Sequence, residues 1–120
     1  IKIPVDGVLQ LHAGASYAGT LILRDESKTP VEEVTADIIA EKNAHLFVFT
    51  PDAGLHGVLT VTGLDKDANN FDFGLNFKVT TTSVGAGNIN VVLRHYDSGN
   101  KNDNEYDTDI DRDFPVVIAE

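Results

Sequence analysis

The sequence predicts an all-β fold, an immunoglobulin-like antiparallel β-sandwich of about seven or eight strands with one short crossover helix. Three observations predict it. Short runs rich in Val, Ile, Leu, Phe and Thr alternate apolar with polar residues, the period of a half-buried strand. Gly, Asn and Asp bound those runs at the spacing of a sandwich. A chain of 120 residues, with 42% hydrophobic and 23% charged side chains, fits a single domain over residues 1–120 around one core.

The runs fall at residues 8–12, 17–24, 45–50, 58–62, 73–82, 89–96 and 114–118. Residues 29–42 break the alternation. Thr29 suits an N-cap, Pro30 the first helical position and Glu32 a capping box, while Val31, Val34 and Ile38 recur at helical spacing, so a short helix is predicted there. The β-branched Val34, Thr35, Ile38 and Ile39 make another strand the competing reading. The turn formers Pro51-Asp-Ala-Gly54 predict a hairpin between the runs at 45–50 and 58–62. Residues 83–88 likewise predict an antiparallel pair between 75–82 and 89–96. Residues 97–113 are almost entirely polar and acidic and predict an exposed loop before the last strand. That strand carries Pro115, which removes a ladder donor and argues for an edge position or a bulge.

A formal net charge of −10 without a basic cluster disfavours phosphate backbones and anionic lipid, so nucleic acid is not an expected partner. The absence of cysteine excludes disulfides, thiolate metal sites and cysteine nucleophiles. No apolar run approaches the ~20 residues needed to span a bilayer. Ile1 stands where a methionine would open a nascent chain, which suggests a processed N-terminus whose targeting segment has been removed.

Two histidines carry the main chemical expectation. His45 opens one strand-like run and His95 closes another, so antiparallel neighbours would bring the two imidazoles together at one sheet edge. A pair of this kind suits a small metal or haem site; neutral imidazole ligates zinc, copper and nickel, with further donors from His, Asp or Glu. Asp97, Asp107 and Asp109 are the candidate co-ligands, with His12 and Glu41 also considered. The simpler reading is a strand-end histidine bonded to a backbone carbonyl. Calcium is a weaker expectation than zinc or copper: the segment from Asp65 to Asn70 begins like a calcium loop but has Asn70 at its sixth position and Asn76 at its twelfth, where Gly and Glu belong. Ser16, Ser27, Ser83 and Ser98 lack a nucleophile-elbow context, and Glu32 with Glu33 sits where a helix's first turn would favour acids. The chain is therefore expected not to be an enzyme.

The segments around Gly19 to Thr35, Asn43-Ala-His-Leu-Phe-Val-Phe49, Gly74-Leu-Asn-Phe-Lys-Val-Thr-Thr81 and Asn90-Val-Val-Leu-Arg-His95 occur in an order that resembles a family of small Bacteroidetes-type cell-envelope lipoproteins. The resemblance runs over roughly residues 15–118, carried by Asp25-Glu-Ser27, Thr29-Pro30, His45 and Leu93-Arg-His95. Asn43-Ala44 departs from the acidic residues such proteins carry before the histidine. The resemblance implies location in the cell envelope or secretion, with lipid anchoring expected through a leader ahead of Ile1. The function expected is a non-enzymatic cell-envelope module that binds a transition metal or metal-containing ligand, with an outer-membrane receptor or another envelope protein as partner. The alternative is a protein–protein interaction or adhesion module without a small-molecule site.

Overall fold

The computed structural model describes residues 8–25 and 27–120. Glu26, within the Asp25-Glu-Ser27 segment singled out above, lies outside the described residues. The described chain is mostly β, with two principal sheets, a small hairpin and one α-helix. Its strands are β1 (Leu9–His12), β2 (Ser16–Thr20), β3 (Arg24–Asp25), β4 (Glu32–Glu33), β5 (His45–Pro51), β6 (Leu59–Thr62), β7 (Asn76–Thr81), β8 (Gly85–His95) and β9 (Asp107–Ala119). The helix α1 (Thr35–Ala40) lies between β4 and β5.

One sheet runs β1-β9-β8-β5 and the other β2-β7-β6, while β3 and β4 pair apart from both. Alternation places Phe77, Val79 and Thr81 of β7 and Ile89, Val91 and Leu93 of β8 inside. The two inner faces meet where the Phe49 and Phe77 rings stand 4.5 Å apart, and Phe73, in the connection ahead of β7, packs 5.9 Å from Phe47.

Several expectations are corrected. The helix does not begin at Thr29: Glu32 and Glu33 form β4 against β3, and α1 starts at Thr35 after Val34, without a side-chain cap. The segment ahead of the helix is held extended instead, with Glu32 paired to Lys28 at 2.7 Å and the Thr35 hydroxyl accepting from the Leu23 amide at 2.9 Å, while the β-branched Thr35, Ile38 and Ile39 lie within α1. The expected strand over 17–24 is likewise interrupted after Thr20.

Neither predicted hairpin forms, since β5 and β6 lie in different sheets, as do β7 and β8. Between β5 and β6 a short 3-10 turn, Ala53–Leu55, buries Leu55 completely and redirects the chain from one sheet to the other. Asp52 caps it by accepting from the Gly54 amide at 3.1 Å, and its other carboxylate oxygen accepts from the Asn88 amide at 2.9 Å.

The acidic stretch is half strand rather than all loop, because β9 already begins at Asp107. β9 is also interior, pairing with β8 on one side and parallel with β1 on the other, so the sheet is not wholly antiparallel. Pro115 is accommodated at a locally open position. Its β8 partner Asn88 directs both backbone groups toward Asp52, each at 2.9 Å, so this pair exchanges no ladder bonds. The missing proline N–H therefore falls on the β1 side, one residue before the Leu9–Val116 pairing begins.

The Asp52 turn has almost no free space: a Cβ built on Gly54 would collide with the Ala86 carbonyl oxygen. Gly54→Ala is expected to destabilise the domain by about 1–3 kcal/mol, read as a lower denaturation midpoint at unchanged slope.

Candidate metal centre

β5 and β8 pair antiparallel with His45 directly opposite His95. The Tyr96 amide donates to the Ala44 carbonyl at 2.7 Å and the Phe47 amide turns away from β8 to the Phe73 carbonyl at 2.8 Å, which makes His45–His95 a close, non-hydrogen-bonded pair. Their rings stack with centroids 4.7 Å apart and planes inclined by 11°. By alternation they share the face of Phe47 and Leu93, so the imidazoles close one end of the core.

His45 is fixed. It is 3% exposed, and Nδ1 lies 3.0 Å from the Glu41 carbonyl oxygen beyond the end of α1. A carbonyl only accepts, so Nδ1 carries the hydrogen and a neutral ring presents its lone pair on Nε2. A backbone carbonyl orienting an imidazole in this way is the usual outer support of a metal-ligating histidine. Nε2 is 3.9 Å from Asp109 Oδ2. His95 is more accessible, and its Nδ1 is 3.4 Å from Asp97 Oδ1.

A β-bulge brings the acids to this face. In β9, Asp107, Asp109, Asp111 and Asp113 occupy alternate positions and would share one face of a regular strand. The register instead shifts between Leu93 and Arg94: Ile110 faces Leu93, Thr108 faces Arg94 and Asp107 faces His95, leaving Asp109 as the extra residue. Asp111 and Asp113 remain on the outer face, accepting from Asn90 Nδ2 at 2.7 Å and 3.0 Å.

All five residues that the sequence nominated as metal ligands thus meet at one end of the β1-β9-β8-β5 sheet. His45, His95 and Asp109 form one triplet and His95, Asp97 and Asp107 another, with potential ligand atoms within 4.8 Å of one another in each. His95 belongs to both. The crowding of carboxyls has an electrostatic consequence: hydrogen bonding to Asp97 and its charge, followed by desolvation and the charge of Asp109, raise the Asp107 pKa against a smaller opposing effect of His95. A cation would relieve that repulsion. Because the imidazole planes are nearly parallel, one ion cannot lie in both planes at once. Coordination by both rings requires rotation of His95, the less buried of the two.

The other nominated groups lie elsewhere or act differently. His12 Nδ1 is 3.3 Å from the Glu120 carbonyl oxygen, and Glu41 contributes its backbone carbonyl to His45. The calcium-like segment uses its acids internally: Asp65 Oδ1 accepts from the Gly74 and Asn76 amides at 2.9 Å and 3.1 Å, and Asp67 Oδ1 from the Asn69 and Phe71 amides at 2.8 Å and 3.0 Å. Asp67 Oδ2 is 2.9 Å from Lys101 Nζ, with side-chain exposures of 0% and 4%. This buried pair had no counterpart in the sequence reading, although Lys101 is conspicuous as a cation within the acidic stretch. Burial works against the Asp67 charge, but Lys101 and the two amides outweigh it and hold the pKa below 3.8.

No family model, curated protein or solved structure matches this chain. Among the described residues, no helix is long and apolar enough to cross a membrane.

Because the folded-state pKa of Asp67 is depressed, its contribution to stability is present above about pH 4 and is lost as pH falls through the lower folded value. Asp67→Asn leaves Lys101 buried without its counter-charge and is expected to cost about 3–5 kcal/mol near neutral pH. Denaturant unfolding should also show a shallower loss of stability as pH falls below about 4 than in the wild type.

Proposed function

We propose that this chain is a non-enzymatic binding module of the cell envelope that takes up a transition metal, zinc or copper, through His45 and His95, with Asp97, Asp107 and Asp109 supplying oxygen donors. The observation that carries the reading is the convergence of these five side chains from β5, β8, the following loop and β9 on one sheet end. Two imidazoles with carboxylates suit zinc or copper(II) better than calcium, which prefers an all-oxygen shell. The Glu41 carbonyl gives His45 the orientation and tautomer that ligation requires. Half-buried His95 and exposed Asp97 leave one side open to a metal-bearing small molecule or to a partner.

We also propose that the domain is immunoglobulin-like. Its sheet orders, β1-β9-β8-β5 and β2-β7-β6, correspond to an edge strand on the GFC sheet and to the BED strands of the opposing sheet. In this reading β3, β4 and α1 form an insertion between the second and third sandwich strands. Envelope location, lipid anchoring through a leader and an outer-membrane receptor or another envelope protein as partner rest on the family resemblance.

Calorimetric titration with zinc, copper and calcium is expected to show zinc or copper binding that is lost in His45→Ala/His95→Ala, with native circular dichroism retained. Equal transition-metal affinity in the double variant would overturn the assignment. A wild type that binds no metal would favour the interaction or adhesion module.

Asp107→Asn supplies a second check. The Asp107 folded-state pKa is raised, so its contribution to stability is greatest at low pH and is lost as pH rises through that value. Removing the charge should therefore raise the metal-free melting temperature near neutral pH and weaken metal binding. A variant that is less stable without metal would contradict the repulsion derived for this cluster.

A further inference from the structure

Asp97 has little packing of its own. Its side chain is 73% exposed, and it lies between His95, which is bound into β8, and a loop that returns to the same sheet end as β9 at Asp107. Its position is therefore set by the backbone of residues 96–106. That backbone is anchored at the near end, where Tyr96 is 2% exposed and its amide donates to the Ala44 carbonyl at 2.7 Å, and where the Gly99 amide closes a turn on the Tyr96 carbonyl at 2.9 Å. At the far end, Tyr106 packs against Tyr96 at 5.4 Å and beneath the Arg94 guanidinium at 4.2 Å.

Between these anchors, one side chain fastens the loop to the opposite side of the sandwich. Lys101 reaches into the β6–β7 connection, where its ammonium lies 2.9 Å from Asp67 Oδ2, donates to the Asp72 carbonyl at 2.8 Å and stands 5.8 Å from the Phe73 ring. Asp67 is itself held by the Asn69 and Phe71 amides at 2.8 Å and 3.0 Å, so the anchor point is rigid. The short chain from Asp97 to Lys101 spans at most about 14 Å, and fixing one end restricts the excursion of the other.

We infer that Lys101 is a positioning residue for the metal centre, holding the loop through the buried Asp67 pair so that Asp97 is presented to His95 before an ion arrives. This inference rests on the metal-binding reading above. Lys101 touches none of the five donors; it acts by removing conformational freedom that Asp97 would otherwise lose on binding. Outer supports of this kind commonly change metal affinity by about 10–100-fold.

The test is a double-mutant cycle read by zinc and copper titration of the full chain. Lys101→Met is expected to weaken binding about tenfold or more, and Asp67→Asn, which breaks the same pair from its other side, should do likewise. Asp97→Ala should also weaken binding, but adding Lys101→Met to Asp97→Ala should produce little further loss, because the ligand that Lys101 positions is then absent. Circular dichroism on each variant establishes that the titrated protein is folded, and Asp67→Asn serves if Lys101→Met is not. Wild-type affinity in the folded Lys101 or Asp67 variant would overturn the inference while leaving the metal site standing. Full multiplicative losses in the double variant would also overturn it, since Lys101 would then act independently of Asp97. A wild type that binds neither metal would overturn the metal reading and this inference together.

Discussion

The register of β5 against β8 is the constraint on which the candidate centre depends. Pairing Phe47 with Leu93 on the core face places His45 opposite His95 on that same face, two residues farther along. A slip by one residue would send one histidine to the outer surface and carry a buried apolar set with it. Core packing therefore enforces the imidazole pair: Phe47 and Leu93 are 2% and 1% exposed, so the energy that fixes the register is hydrophobic rather than chemical. The Glu41 carbonyl then sets the direction of the His45 ring.

Electrostatics opposes the assembly that packing creates. The bulge at Leu93 and Arg94 turns Asp107 and Asp109 toward the histidines, and Asp97 approaches from the loop. Carboxyls gathered in this way raise the Asp107 pKa, and an isolated fold would gain nothing from that arrangement. The same molecule resolves its other charge problem differently, since buried Lys101 and Asp67 neutralise each other in a dry contact between loops. One buried pair is compensated while the carboxyls near His95 crowd one another, so the cluster is the place where an added cation would have most effect.

The sequence made the strand content and the histidine juxtaposition legible because both follow from alternation, and alternation survives in β5 and β8 with little interruption. It did not reveal which strands share a sheet. Pro51 and the residues after it are ordinary hairpin material, but burial of Leu55 and capping by Asp52 turn the chain to the other sheet instead. Thr29, Pro30 and Glu32 satisfied a helix-start pattern, yet backbone pairing of β3 with β4 took precedence and delayed α1 to Thr35. The candidate ligands could be named from composition and proximity to the histidines. The bulge that selects Asp107 and Asp109 over Asp111 and Asp113 could not, because all four fall at the same spacing. Lys101 was hidden for a related reason: a cation in an acidic stretch reads as surface, and only the fold brings Asp67 to it.

The most direct measurement is X-ray absorption spectroscopy of the zinc-loaded chain, which counts imidazole ligands and distinguishes them from oxygen donors. The account predicts two histidine ligands at about 2.0–2.1 Å with carboxylate oxygen completing the shell. An all-oxygen shell, or a shell with a single imidazole, would contradict a centre built on the His45–His95 pair.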